Sequence, residues 1–149
     1  PGVEAVLAAV RTRLERPAPR NALGLALRGV ATACADVSDG LAGDLGHILH
    51  ASGAGARLDA RLLRLAMSPT LRGQGPALAW RHAAQGGDDY ELVFTAPPGR
   101  RDAVQAAAER SATPVTRIGA IEAAAGLRWL DLQGHEASPD WRSFDHFRA

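Results

Sequence analysis

The sequence predicts an α+β domain, with α/β-type layering, in which helices cover a mixed β-sheet. Apolar residues recur at helical spacing in several segments, whereas shorter segments rich in β-branched and aromatic residues have the character of strands. The segments follow one another as helices, then strand–helix–strand, then strand–helix–strand–strand, an order that favours layers of sheet and helix. With 149 residues, the chain is long enough to bury the core of one domain.

The N-terminal segment is predicted to contain two helices. Residues 3–15 carry apolar side chains at helical spacing, and Pro17 and Pro19 end this helix. Residues 20–28 form a second, short helix that Gly29 closes. The apolar positions of the first helix are Val3, Val6, Leu7, Val10 and Leu14.

A strand–helix–strand unit follows. Residues 30–37 are small and partly β-branched, which predicts a short buried strand that contains the only cysteine, Cys34. Residues 39–52 have the clearest helical pattern in the sequence, and Gly53 ends that helix. A second strand is predicted at residues 56–60. The apolar stripe of the helix consists of Leu41, Leu45, Ile48 and Leu49.

The rest of the chain begins with a segment of mixed character at residues 61–76, where Pro69 and other breakers interrupt any regular pattern. The later elements are, in order, a helix at 77–84, a strand at 89–95, a helix at 100–110, strands at 115–121 and 127–132, and a loop at 138–149. Three aromatic residues in that loop, Trp141, Phe144 and Phe147, indicate that it docks on the domain.

Composition excludes several classes of function. The net charge is +1, from 17 basic and 16 acidic residues, so no nucleic-acid partner is expected. No apolar run approaches the ~20 residues that span a bilayer, so no membrane partner is expected either. All 17 basic residues are Arg, which excludes a phosphate-binding or catalytic lysine within this chain. A single cysteine forms no disulfide within the chain and indicates a reducing, cytoplasmic location.

The segment DVSDG, residues 36–40, lies where a predicted strand meets the clearest helix. Asp36 and Asp39 are three positions apart, and two carboxylates there attract a hard cation such as Mg²⁺, which bridges carboxylates to phosphate oxygens. The N–H groups of the helix N-terminus attract anions, and Gly40 lets a ligand approach the backbone. The alternative is that Ser38 or Asp39 simply caps the helix.

A second acidic segment, GGDDYEL at residues 86–92, joins a Gly pair to two adjacent carboxylates and then to a strand. Because strand interiors disfavour Asp, Asp88 and Asp89 are predicted to lie at the strand's entry. The alternative is an acidic turn with no further role.

Other polar residues have plainer interpretations. His47 and His50 project away from the leucine stripe and are predicted to lie on a solvated helix face rather than to bind a metal. A group of arginines near the N-terminus is interpreted as solvated charge, with a phosphate-facing role as the alternative. These are Arg11, Arg13, Arg16 and Arg20.

Together, the two acidic segments resemble the thiamine-monophosphate kinase family. The matching stretches are DVSDGLAGDLGHILHASGAGA (36–56), GGDDYELVFT (86–95) and SFDHF (143–147), and the resemblance runs from about residue 16 to the end. DVSDG alone is shared with the wider aminoimidazole ribonucleotide synthetase-like superfamily, which includes selenophosphate synthetase. The second segment and the aromatic tail indicate the thiamine enzyme.

The resemblance implies a domain organisation. Residues 1–28 would be N-terminal helices and an interdomain linker region, and residues 29–149 a C-terminal substrate- and ATP-binding domain. The family's N-terminal half, which supplies most metal ligands, much of the ATP site and the interface of a homodimer, is absent from this sequence. The chain begins with Pro-Gly rather than Met, and we expect it to be one piece of a longer protein.

The resemblance also implies site roles. Asp36 and Asp39 would be Mg²⁺ ligands, Ser38 would contact the phosphates of ATP, Asp88 would contact thiamine monophosphate, and Phe144 would pack on its aromatic ring. The family commonly has GGED where this chain has GGDD, so the carboxylate of Asp88 is one methylene shorter. No general base is expected, because the acceptor phosphate is already ionised at neutral pH.

Two further functions remain as alternatives. One is a sibling ATP-dependent synthetase of the same superfamily, against which the GGDDYEL segment argues. The other is a non-catalytic module that binds a nucleotide or thiamine phosphate.

Overall fold

The computed structural model describes residues 3–137, without the side chains of residues 3, 6, 9 and 77. The helices are α1 (Val3–Glu15), α2 (Asn21–Ala26), α3 (Leu41–Ser52), α4 (Ala60–Ala66), α5 (Pro69–Arg72), α6 (Pro76–Gln85) and α7 (Arg101–Arg110). The strands are β1 (Ala33–Asp36), β2 (Gly55–Asp59), β3 (Leu92–Thr95), β4 (Gly119–Glu122), β5 (Gly126–Leu130) and β6 (Glu136–Ala137). This order of elements confirms the α+β class.

The strands form a mixed sheet, as predicted, and a separate two-stranded sheet. In the mixed sheet the order is β4-β2-β5-β6, with β2 and β5 parallel and the other pairs antiparallel. The other sheet pairs β1 with β3 antiparallel, and Asp36 at the end of β1 lies opposite Leu92 at the start of β3. This register brings the two acidic segments of the sequence to the same end of the sheet.

The main hydrophobic core is built around α3, which packs against strands of both sheets. Leu41, Leu45 and Leu49 are buried and Ile48 is partly buried, which confirms the predicted apolar stripe. Fully burying a leucine side chain contributes ~1.5–3 kcal/mol, so this stripe is a large part of what holds α3 in place. A smaller cluster joins α2 to α7.

Several strands are shorter than the sequence predicts. β1 begins at Ala33 and β4 at Gly119, several residues later than expected. β3 begins at Leu92 rather than at residue 89, because Asp88 and Tyr90 have φ values of 58° and 53°. Such a left-handed backbone conformation does not fit a strand, so the entry to β3 is a loop.

Two helices occupy the segment 61–76, whose pattern is mixed in the sequence. The Asp59 carboxylate accepts a hydrogen bond from the N–H of Arg61 at the start of α4, and the Ser68 hydroxyl accepts one from the N–H of Leu71 at the start of α5. Pro69 is the first residue of α5, where its missing N–H costs nothing. Pro69 therefore marks a helix start rather than a break.

Cys34 is exposed, and the predicted buried environment is wrong. The reason is that β1 lies in a two-stranded sheet, along which exposed and half-buried residues alternate. Partial burial of the thiol and the nearby charge of Asp36 raise the pKa of Cys34, so it is not an activated nucleophile.

Within residues 3–137, none of the helices is both long enough and apolar enough to span a bilayer. The predicted C-terminal loop at 138–149, with its three aromatic residues, lies outside the described residues.

Candidate functional site

Two acidic loops lie side by side at one end of the β1–β3 sheet. The first, residues 36–40, runs from the last residue of β1 to the start of α3, and the second, residues 86–91, connects α6 to β3. Past the end of the ladder, the N–H of Val37 donates a 2.9 Å hydrogen bond to the carbonyl of Glu91. The strand pairing therefore continues into the loops and holds them together.

Direct backbone contacts join the loops further out. The N–H of Asp88 donates a 3.0 Å hydrogen bond to the carbonyl oxygen of Ser38. A Cβ atom at Gly87 would lie 2.3 Å from that same oxygen, and a Cβ atom at Gly40 would lie 2.9 Å from the carbonyl carbon of Gln85. Gly40 also has a φ of 99°. Glycine at these positions is therefore what allows the two backbones to touch.

Asp44, in the first turns of α3, is a functional candidate that the sequence motifs do not indicate. It is buried at 7% exposure, and its Oδ2 accepts hydrogen bonds from the N–H groups of Ser38 (3.0 Å) and Asp39 (3.1 Å). A signal was present in the sequence, because Asp44 adjoins Leu45 and falls on the apolar face of the helix. A carboxylate at such a position needs a specific partner.

The N-cap of α3 is neither of the two residues that the sequence suggested. The N-cap of α3 is Gly40, with no side-chain capping hydrogen bond, so neither Ser38 nor Asp39 caps the helix. The N–H groups of Ser38 and Asp39 are already bound to Asp44. An anion at this loop would therefore use the later N–H groups of the first helical turn and the Ser38 side chain.

The predicted ligand side chains lie on these loops. Asp36, Ser38 and Asp88 are exposed, and Asp39 is half-buried. Carboxylate and hydroxyl oxygens are hard donors, and Mg²⁺ is typically bound by one or two carboxylates together with phosphates and water. The described residues contain no group of three or more His, Cys, Asp or Glu able to hold a metal ion. The donor set fits a Mg²⁺ ion shared with phosphate oxygens rather than an all-protein cage.

Asp89, next to Asp88, has a perturbed carboxyl group. Burial of that carboxyl and the nearby charge of Glu91 raise its pKa to about 6, against the opposing effect of Arg13. The residue as a whole remains exposed, so solvent screens part of these interactions. Asp89 therefore holds its proton to a higher pH than an ordinary aspartate does.

Glu91 binds two of the N-terminal arginines. Its Oε1 accepts hydrogen bonds from the Nη2 atoms of Arg13 (2.6 Å) and Arg20 (2.7 Å), and its Oε2 accepts one from Nε of Arg20 at 2.8 Å. Arg13 also donates to the carbonyl oxygen of Asp89 at 2.8 Å. Arg13 and Arg20 are thus neither free solvated charges nor phosphate-facing groups, because they fasten α1 and the segment after it to the second acidic loop.

Three further residues that the sequence singles out lie on exposed helix surfaces. His47 and His50 are both exposed on α3, which confirms the solvated face. Arg11 pairs with Glu15 on the surface of α1. Phe144 lies outside the described residues, so its predicted role stays a prediction.

The chain matches a known protein family. Residues 4–129 match the family described as AIR synthase related protein, C-terminal domain. The matched stretch includes both acidic loops and the helices that support them.

Curated relatives of the chain include thiamine-monophosphate kinases. The protein from Salmonella typhimurium (strain LT2) is 43% identical over 134 residues, which are 89% of this chain and 40% of the relative. The protein from Haemophilus influenzae is 41% identical over 137 residues, which are 89% of this chain and 41% of the relative. The chain thus spans about 40% of the length of the curated relatives it matches.

Solved structures show the same likeness. The chain is similar to thiamine-monophosphate kinase from Stenotrophomonas maltophilia, with a TM-score of 0.80 and 44% identity over 91% of this chain and 42% of the other. It is also similar to a structure described as AaThiL complexed with AMPPCP and TMP. That likeness has a TM-score of 0.68 and 28% identity, over 92% of this chain and 41% of the other.

Proposed function

The chain belongs to the AIR synthase related family through that family's C-terminal domain, and on this basis we propose that it is the C-terminal half of a thiamine-monophosphate kinase. The reaction is transfer of the γ-phosphoryl group of ATP to thiamine monophosphate, giving thiamine diphosphate and ADP. The relatives that carry this name support the proposal. The observation that carries it is the contact of the two acidic loops through Asp88 and Ser38, because a phosphoryl transfer needs donor and acceptor groups side by side.

The first acidic loop is proposed to handle the phosphate donor. Asp36 and Asp39 would hold Mg²⁺ together with phosphate oxygens, and Ser38 would donate its hydroxyl hydrogen to a phosphate of ATP. Asp36 and Ser38 are exposed and Asp39 is half-buried. A bound nucleotide could therefore contact all three side chains. When bound, Mg²⁺ neutralises negative charge on the two phosphate groups that have to approach each other.

The second acidic loop is proposed to contact the acceptor. Asp88 has a positive φ of 58°, and its N–H is fixed on the first loop, so its position relative to Ser38 is set by the backbone. Its negative charge suits the cationic thiazolium ring of thiamine monophosphate. Phe144 is proposed to pack on the aromatic part of the same ligand. The acceptor phosphate is already ionised, so the chain's contribution is to position groups rather than to remove a proton.

The rest of the site is proposed to come from an N-terminal half of the same protein. The chain spans about 40% of its relatives, and two acidic ligands are few for a site that binds a nucleotide and metal ions. In this proposal, residues 1–28 form the N-terminal helices and linker region, and residues 29–149 form the C-terminal domain. The full-length protein would form a homodimer.

The proposed function is tested with the full-length protein, ATP, Mg²⁺ and thiamine monophosphate. We expect one thiamine diphosphate and one ADP for each ATP consumed, and we expect the 149-residue chain alone to fold but give no turnover. ATP consumption with release of inorganic phosphate and no thiamine diphosphate would instead favour a sibling synthetase. Turnover by the isolated chain at ~1 s⁻¹, the low end of ordinary enzymes, would contradict the two-half account.

A further inference from the structure

We infer that Asp44 is a positioning residue whose buried carboxylate fixes the peptide between Ser38 and Asp39, and through that peptide the position of Asp88. This inference rests on the proposed function for its consequences in catalysis. The geometry behind it stands on the hydrogen bonds of the described residues alone.

The peptide unit between Ser38 and Asp39 is held at both ends. Its N–H, which belongs to Asp39, donates to Oδ2 of Asp44 at 3.1 Å. Its carbonyl, which belongs to Ser38, accepts the N–H of Asp88 at 3.0 Å. Because the N–H and C=O of a trans peptide point in opposite directions within one plane, these two bonds together fix the rotation of that plane. Hydrogen bonds connected in this way also strengthen one another.

Asp44 is itself held firmly. It lies in α3, its N–H donates a 3.0 Å hydrogen bond to the carbonyl of Gly40, and the adjacent Leu45 is buried at 3% exposure. Asp44 is 7% exposed, so its side chain cannot turn outward to bind a ligand without breaking its two bonds to the loop. Asp44 is therefore suited to act through the loop and not on the substrate.

The consequence for the site follows from the covalent connection. Rotation of the Ser38–Asp39 peptide swings the side chains on either side of it, which are the proposed ATP-phosphate ligand and a proposed Mg²⁺ ligand. The same rotation moves the carbonyl that holds Asp88. Removing a residue that hydrogen-bonds to metal ligands and orients them typically lowers metal affinity by ~10–100-fold. Asp44 would thus set the alignment of the donor and acceptor loops together.

The test compares Asp44→Ala with Asp44→Asn in the intact full-length protein. The Asn side chain keeps an oxygen that accepts both N–H groups, whereas Ala keeps none. Asp102→Ala is the matched control, because Asp102 is also in the first turn of a helix, α7, but is exposed and far along the chain. Amide hydrogen exchange at Ser38 and Asp39 is measured without substrates, and the affinity for Mn²⁺ in the presence of a non-hydrolysable ATP analogue is measured separately.

We expect Asp44→Ala to speed exchange at Ser38 and Asp39 by at least ~10-fold and to weaken Mn²⁺ binding by ~10–100-fold. Exchange in β2 should not change. Asp44→Asn and Asp102→Ala should stay close to wild type in both measurements. If Asp44→Ala proves too unstable to study, Asp44→Leu takes its place under the same expectations, because leucine also lacks an acceptor and suits the apolar face on which Asp44 lies.

Three outcomes would overturn the inference: unchanged exchange in Asp44→Ala, equal acceleration throughout the domain, or accelerated exchange with normal Mn²⁺ affinity. Failure of the proposed function is a separate result, seen as no thiamine diphosphate from the wild-type protein. The exchange measurement does not depend on that activity.

Discussion

The N–H of Asp88 donates a hydrogen bond to the carbonyl oxygen of Ser38 at 3.0 Å, and this bond joins two acidic loops that are about fifty positions apart in the sequence. The bond lies beyond the last ladder pair of β1 with β3, Asp36 with Leu92. It requires Gly87, because any Cβ there would meet the Ser38 oxygen at 2.3 Å. The position of each loop therefore depends on the other.

Replacing Gly87 with Ala should separate the loops. Since the clash is with backbone rather than with a flexible side chain, we expect a loss of ~1–3 kcal/mol in the free energy of unfolding, measured by urea denaturation. Gly46→Ala is the matched control, because Gly46 lies in α3 and a Cβ added there would meet no neighbouring atom within 4 Å. That variant should gain ~0.5–1 kcal/mol, as alanine is the better helix former. Equal stability of the two variants would contradict the close packing of the loops.

Replacing Glu91 with Gln should loosen α1 from the second acidic loop. Glu91 binds Arg13 and Arg20, but its side chain is 44% exposed, so solvent screening limits the expected loss of stability to ~0.5–1 kcal/mol. The loss should shrink as salt is added. Glu15→Gln is the control, because it breaks only the exposed surface pair with Arg11 and should cost less. A Glu91→Gln protein with unchanged stability at low salt would show that this ion-pair group does not hold α1.

The raised pKa of Asp89 predicts a pH-dependent effect of Asp89→Asn. A carboxyl whose pKa rises from 3.8 to about 6 on folding binds its proton more tightly in the folded state. Its contribution therefore favours folding at low pH and is lost as the pH rises through that interval. We expect Asp89→Asn to be more stable than wild type at about pH 8, by at most ~1 kcal/mol because the residue is exposed, and not at about pH 4. Thermal unfolding at both pH values checks this, and a stabilisation that is independent of pH would contradict the assigned cause.

The sequence was sufficient to predict the helix α3, its leucine stripe, and the acidic segments on either side of the junction. These features are local, because they depend on apolar spacing and on glycine and aspartate at adjacent positions. The pairing of β1 with β3 is what brings the segments together, and no local pattern specifies which strands pair.

The residues that were missed act through tertiary contacts. Asp44 has a role only because its carboxylate reaches back to the loop before the helix, and Glu91 only because Arg13 and Arg20 approach it from α1 and the segment after it. The predicted strand at 89–95 failed at its entry because Tyr90 has a positive φ, as has Asp88 just before the predicted strand. An alternating strand pattern in the sequence does not indicate such positive φ values.

The proposed stacking role of Phe144 predicts a loss of ligand affinity. An aromatic ring attracts a cation by ~0.5–2 kcal/mol and stacks on a neutral ring with similar strength, so Phe144→Ala should weaken binding of thiamine monophosphate by ~1–2 kcal/mol, which is ~5–30-fold. Phe144→Trp should retain most of the affinity. If Phe144 instead fills the core, Ala should cost ~3–5 kcal/mol of folding stability and Trp should overpack the site. Isothermal titration of the full-length variants, with unfolding curves alongside, separates the two roles, and normal binding by Phe144→Ala would contradict stacking.

The proposed function requires the first acidic loop to serve ATP and the second to serve the acceptor. The most direct measurement is the pair of KM values, for thiamine monophosphate and for ATP, in Asp88→Ala and Asp36→Asn variants of the full-length protein. Losing a contact to a charged group costs ~1.5–3 kcal/mol, so Asp88→Ala should raise the KM for thiamine monophosphate ~10–100-fold and leave that for ATP nearly unchanged. Asp36→Asn should greatly reduce kcat, because Mg²⁺ and ATP are held less well. Its thermal stability should stay close to wild type. The opposite pattern, in which Asp88→Ala impairs ATP use more than use of the acceptor, would contradict this division between the loops.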